Sequence, residues 1–155
     1  MHPEKMIPRM ITNILEGHKV PVYGQGQNFR DWLYVDDHCR AIEAVITKGK
    51  LGETYCIGGL KETATNIDLV KLTLKLMDKS EDMIEFVADR PAHDNYAVDW
   101  TKINTELGWK PVETLETGLK KTIDWYTKNE SWWRASKAEA EEFYKKLNDY
   151  KNIQK

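Results

Sequence analysis

Apolar and polar positions alternate along this chain with several distinct periods. From Lys5 to Glu16, Met6, Met10 and Ile14 recur every four residues, and Ile7, Ile11 and Leu15 beside them widen the stripe. That spacing predicts a helix with one apolar face. Pro8 falls in its first turn, where a missing N–H costs little, and Gly17 stops it. Val20–Tyr23 reads as a short strand, Gly24–Asn28 as a turn, and Phe29–Val35 as an extended segment rich in aromatic and branched residues. Asp36 or Asp37 is placed to cap a helix running to about Lys48, with Ala41, Ile42, Val45 and Ile46 expected to face inward.

Further along, Glu53–Ile57 is strand-like and Gly58-Gly59 breaks it. Asn66 suits the cap of a helix through Met77, with Asp68 favourable in its first turn. Ile84–Val87 is another short strand. Asp99 is expected to cap a short helix ending at Gly108, and Thr114 a longer one to Asn129 carrying Leu115, Leu119, Ile123 and Tyr126. In the tail, Ser136 and Glu139 form a capping-box pattern, and Ala140, Phe143, Leu147 and Tyr150 share a face. Short strands alternating with helices predict an α/β fold, a small mixed domain whose strands are too few for a complete doubly wound sheet. Residues 1–133 are expected to form the domain, and residues 134–155 a C-terminal amphipathic helical extension.

Composition narrows the classes. The 155 residues include 23 Lys plus Arg and 25 Asp plus Glu, a net charge of −2, with 41% hydrophobic residues. This is too apolar for a disordered chain, and its near-neutral balance argues against a dedicated nucleic-acid binder. No apolar run approaches the roughly 20 residues of a membrane-spanning helix, and the first residues lack the layout of a secretory signal. Cys39 and Cys56 stand apart, which suggests a reducing, cytoplasmic setting with both thiols buried as small apolar groups.

Recognisable catalytic sets are missing from the sequence. Gly24-Gln25-Gly26 is a fragment of a dinucleotide-binding turn, without the third glycine or an ensuing helix. None of the seven tyrosines is followed four residues later by a lysine, the pairing that lowers a tyrosine pKa for proton transfer. There is no GxSxG, P-loop or HExxH pattern, and the isolated histidines and cysteines give no metal-ligand spacing. Asp36-Asp37-His38 has the residue types of an acid/base cluster, yet a helix cap accounts for Asp36 more simply. Trp132-Trp133 reads as core or interface.

The candidate chemistry is anion recognition. Arg30 closes the turn after Gly26. Arg90 and His93 share the segment Asp89–Asp94, Lys5 opens the first helix, and Asn66 marks a later helix start. Guanidinium forks and helix amino termini suit a diphosphate. Local pairs, Arg30 with Asp31 and Arg90 with Asp89, are the competing reading.

These segments, in order, resemble one family. Arg30-Asp31-Trp32-Leu33-Tyr34-Val35-Asp36-Asp37-His38, with Ala41 following, is similar to the RDWLYVxDHxxA segment of dTDP-glucose 4,6-dehydratases, in the extended short-chain dehydrogenase/reductase family. Pro3–Pro8 resembles PEKLIP, Pro21–Gly26 resembles PVYGDG, Gly52–Gly59 resembles GETYNIGG, Asp89–Asp94 resembles DRPGHD, and Leu107–Pro111 resembles LGWKP. The resemblance covers residues 3–133 and only the C-terminal half of such an enzyme. In the family, the N-terminal Rossmann half binds NAD and supplies the catalytic residues, and no segment of these 155 residues resembles that half. The resemblance therefore implies no catalytic residue and no cofactor in this chain, with NAD belonging to the full-length enzyme.

By the same resemblance, Lys5, Met6, Pro21, Tyr23, Arg30, Asn66, Arg90 and His93 bind a dTDP-sugar nucleotide. The arginines would meet the diphosphate, and Lys5 with the Pro21–Tyr23 region would lie by the nucleoside. Ala92 and Cys56 depart from the family's usual glycine and asparagine, and Leu60–Thr65 is one residue longer than usual. The implied function is the substrate-binding half of a dehydratase, inactive alone, an excised domain or truncated gene product. Its expected partners are the nucleotide sugar and a Rossmann half in cis or in trans. Self-association is expected through the surface where that half would dock, and the Thr54–Ile57 strand, without its neighbour, is expected to pair elsewhere, swap between chains or stay irregular. The alternatives are a non-catalytic nucleotide-sugar-binding module and a protein-interaction module.

Overall fold

The computed structural model describes residues 5–59, 64–89 and 97–153, with side chains through residue 142. Helix α1 spans Met6–Leu15, strand β1 Val20–Tyr23, α2 Val35–Lys48, α3 Asn66–Leu76, β2 Ile84–Val87, α4 Thr101–Leu107, α5 Leu115–Lys128 and α6 Glu130–Ile153. A single turn of 3-10 helix, Glu81–Met83, leads into β2. Among the described residues, the sheet is a parallel pair, with Val20 opposite Ile84 and Tyr23 opposite Val87. Parallel strands require a crossover, and α2 and α3 provide it.

The main core lies where α1, α3 and α5 close over β1. Met10, Ile11 and Ile14 from α1 meet Val20 and Val22, Leu69 and Leu74, Leu119 and Ile123. Each such side chain removed from water contributes about 1.5–3 kcal/mol. Trp133 is fully buried in this cluster, and its indole N–H donates to the Tyr126 carbonyl at 2.9 Å. A smaller cluster joins Ala41 of α2 to Ile103 and Leu107 of α4 and to Trp109.

Both strands, α1 and α5 follow the periodicity closely; Thr114 caps α5 as expected, in a reciprocal box with Thr117. Other starts differ. Helix α2 begins at Val35 behind Tyr34, so neither Asp36 nor Asp37 caps it. Asp37 is instead buried inside the first turn, where its carboxylate accepts from the Val112 and Glu113 amides at 3.1 and 2.9 Å. Thr65, not Asn66, caps α3, in a box with Asp68. Ser136 and Glu139 lie inside α6, which starts at Glu130 directly after α5, so they form no cap.

Two burial expectations are overturned as well. Ile42 and Ile46 are 44% and 79% exposed, because Ala41 and Val45 form the face of α2 that meets α4 and Trp109. Cys39 and Cys56 are both exposed. Glu53–Ile57 stays irregular, one of its anticipated fates, and is held on α4 by side chains. Lys102 Nζ reaches Glu53 at 2.6 Å and the Thr54 carbonyl at 3.0 Å, and the Tyr55 hydroxyl meets Glu106 at 3.0 Å.

Candidate functional site: a cationic cleft beside the strand pair

A cleft of about 990 Å³ opens where the amino end of α1 passes β1 and α3. Lys5, Met6, Pro21, Tyr23, Arg30 and Asn66, six of the eight residues expected to bind ligand, all line it. The other two, Arg90 and His93, lie outside the described residues.

Local structure explains why such distant positions meet. Gly24 and Gly26 take φ of 57° and 68°, values that glycine adopts without strain. Their turn reverses the chain after β1 and is fastened to the start of α3. The Ile67 amide donates to the Gly26 carbonyl at 3.0 Å, the Asn66 amide to the Asn28 carbonyl at 2.8 Å, and Phe29 bridges Thr65. Arg30 is thereby carried to the side of Asn66 and of Tyr23 at the end of β1.

Charge in the cleft favours an anion. Lys5, Arg9 and Arg30 line it together with His38, and the one carboxylate among them, Asp31, accepts from the Gly59 and Val98 amides at 2.5 and 2.9 Å. Arg30 Nη1 donates to its neighbour's carbonyl, that of Phe29, at 2.8 Å. The two helix starts differ. Helix α1 has no side-chain cap on its amino end at the cleft, which leaves the positive end of its dipole there. On α3, the amides of Asn66, Ile67 and Asp68 are already taken by Asn28, Gly26 and Thr65, so that end offers a side chain rather than free backbone donors.

Two polar atoms at the cleft are buried without a hydrogen-bond partner among the described residues: Trp32 Nε1, a donor, and Asn66 Oδ1, an acceptor. Such orphans are rare in folded chains, and an ordered water or a bound molecule would satisfy them. Sequence reading did not place Trp32 or Asp31 among the binding residues; it offered Asp31 only as a local ion-pair partner of Arg30.

The Gly24–Gly26 turn does not fit the pyrophosphate of NAD. After Gly26 the next helix begins only at Val35, so no helix amino end receives a pyrophosphate at this turn. A Cβ on Gly24 would meet the Asp89 carboxyl at 2.9 Å, and one on Gly26 would meet Val22 at 2.7 Å, so the space over these glycines is filled, in part by a negative charge. No described helix is long and apolar enough to cross a membrane.

The family model described as GDP-mannose 4,6 dehydratase matches residues 1–122. The dTDP-glucose 4,6-dehydratase of Neisseria meningitidis serogroup B (strain ATCC BAA-335 / MC58) is 51% identical over 144 residues, 85% of this chain and 40% of that protein. Among solved structures, dTDP-glucose 4,6-dehydratase from Bacillus anthracis str. Ames, in complex with NAD, superposes with a TM-score of 0.80 at 47% identity, over 86% of this chain and 42% of that one. A UDP-glucuronic acid 4-epimerase from Bacillus cereus, in complex with UDP-glucuronic acid and NAD, gives 0.74 at 29% identity, over 81% and 40%. The chain spans about 40% of the length of the curated relatives it matches.

Proposed function

The chain belongs to the GDP-mannose 4,6-dehydratase family, among sequences similar to the dTDP-glucose 4,6-dehydratases, and from that premise we propose that it forms the nucleotide-sugar-binding portion of such an enzyme. Its cleft takes the nucleoside diphosphate of a dTDP-sugar. The observation that carries this reading is the gathering of Lys5, Met6, Pro21, Tyr23, Arg30 and Asn66 around one cationic cleft. Arg30 supplies the guanidinium fork for phosphate oxygens, and Lys5 adds charge at the uncapped end of α1. Asn66 Oδ1 and Trp32 Nε1 supply an acceptor and a donor for polar groups of the ligand. Arg90 and His93 are proposed to complete the phosphate contacts.

No part of hydride transfer or dehydration is assigned to these residues, because the chain holds neither a fitting dinucleotide turn nor a tyrosine–lysine pair. Its role is to bind and orient. The chemistry falls to the Rossmann portion that relatives carry outside the matched stretch, acting in cis or in trans. A docking face for that portion is the exposed apolar stripe of α2, where Val35, Ile42 and Ile46 are 60%, 44% and 79% exposed.

Calorimetric titration with dTDP tests the binding role. The expected result is saturable heat in the wild-type chain and an affinity loss of about tenfold or more in Arg30→Ala, the scale of a charge-assisted contact. No heat at about millimolar dTDP would contradict it.

A further inference from the structure

We propose that Asp31 is the positioning residue of this cleft, a carboxylate that fixes Arg30 and Trp32 by tying their segment to two others. The proposal rests on the binding reading above for its ligand, and on geometry alone for its mechanism.

Segment 53–59 belongs to no described sheet; its Glu53 amide donates to the Lys50 carbonyl, while the Thr54 carbonyl and both backbone groups of Gly59 bond side chains. The Gly59 amide donates to Asp31 Oδ1 at 2.5 Å, and its carbonyl accepts from Trp100 Nε1 at 2.6 Å. The other Asp31 oxygen, Oδ2, accepts from the Val98 amide at 2.9 Å. One carboxylate therefore joins the Arg30–Trp32 segment, the 57–59 segment and the 98–100 segment, with one oxygen for each amide. Packing around it is tight. A Cβ on Gly58 would lie 2.6 Å from Asp31 Oδ2, and one on Gly59 would lie 2.6 Å from Oδ1 and would collide with the Trp32 carbonyl.

The neighbours of Asp31 make this knot functional. Arg30 precedes it and Trp32 follows it, and both line the cleft, as does Ile57 two residues before Gly59. With residue 31 pinned from two directions, the side chains on either side cannot shift independently of the cleft wall. A carboxylate suits the task because it offers two acceptors and no donor. Asparagine of the same size would turn an N–H group toward an amide N–H.

The test compares Asp31→Asn and Gly59→Ala with wild type, using dTDP and thymidine as probes, alongside amide exchange and the Arg30 Nε resonance without ligand. Expected are faster exchange at the residue 59 and Val98 amides, a shifted or broadened Arg30 resonance, about tenfold weaker dTDP binding, and thymidine binding changed less than about threefold. Equal weakening of both probes, or unchanged dTDP binding, would overturn the proposal. If wild type binds neither probe, the nucleotide reading fails; an Arg30 resonance unmoved in Asp31→Asn then overturns the positioning role, and a moved one sustains it.

Discussion

The Trp109 indole donates to the Asp37 backbone carbonyl at 3.0 Å, while the carboxylate of the same Asp37 accepts the Val112 and Glu113 amides and pairs with Arg40. One buried residue thus clasps the 109–113 loop to the first turn of α2. Burial opposes its charge, but the hydrogen bonds from Glu113, Arg40 and Val112 outweigh it and hold the carboxyl below its ordinary value of 3.8. A depressed carboxyl stabilises the fold above its unfolded pKa, and that stabilisation is lost as pH falls through the folded pKa. Wild type should therefore lose stability below about pH 4, and Asp37→Asn should flatten that acid limb in denaturant titrations at several pH values. Asp37→Ala should cost about 3 kcal/mol near neutrality, because it strands buried donors.

Helix α6 is joined to α1 through a buried lysine. The Lys137 side chain is 5% exposed, and its Nζ lies 2.6 Å from Glu16 and 2.9 Å from Asn13 Oδ1. Asn13 Nδ2 in turn donates to the Lys19 carbonyl at 2.9 Å, at the entrance to β1. Glu16→Gln leaves the buried ammonium with only the more distant and exposed Glu141, 3.8 Å away, as a counter-charge, and should destabilise the chain by about 3 kcal/mol, measured by urea unfolding. Arg134 is more exposed, and Arg134→Ala should cost less than about 1 kcal/mol.

Asn66 and Thr65 separate binding from helix capping. Thr65→Ala removes the capping box of α3 and should cost about 1 kcal/mol in thermal unfolding. Asn66→Ala removes a buried acceptor that has no partner among the described residues, so it should leave stability unchanged or raised while it weakens dTDP binding. Equal loss of stability in both variants would contradict this division.

The outward stripe of α2 should make the isolated chain self-associate. Sedimentation is expected to show concentration-dependent dimers or larger species in wild type and a monomer in Ile42→Glu/Ile46→Glu, with no more than about 0.5 kcal/mol lost in stability, since both positions are exposed. A strictly monomeric wild type would contradict it.

How far the sequence was readable depended on how local each signal is. Helix α1, the two strands and α5 carry their own periodicity and stops, and the structure has them where those signals fall. Helix α2 carries two apolar stripes, Ala41 with Val45 and Ile42 with Ile46, and periodicity alone does not say which one tertiary contacts cover. Asp37 has a capping residue's chemistry, but its partners are Val112 and Glu113, more than seventy positions away. Glu53–Ile57 has strand propensity but pairs with no strand among the described residues. At the cleft, the resemblance named residues that the structure gathers, whereas Asp31 and Trp32 emerged only from hydrogen bonding and burial.

The central claim is that dTDP occupies the cleft between α1, β1 and the start of α3. The most direct measurement is an amide-resolved NMR titration of the chain with dTDP. The account predicts saturable shifts at Met6, Tyr23, Arg30 and Asn66, with α4 and the 109–113 loop unchanged. Shifts centred on α4 or α5, or none at any of those four amides up to about 5 mM dTDP, would contradict it.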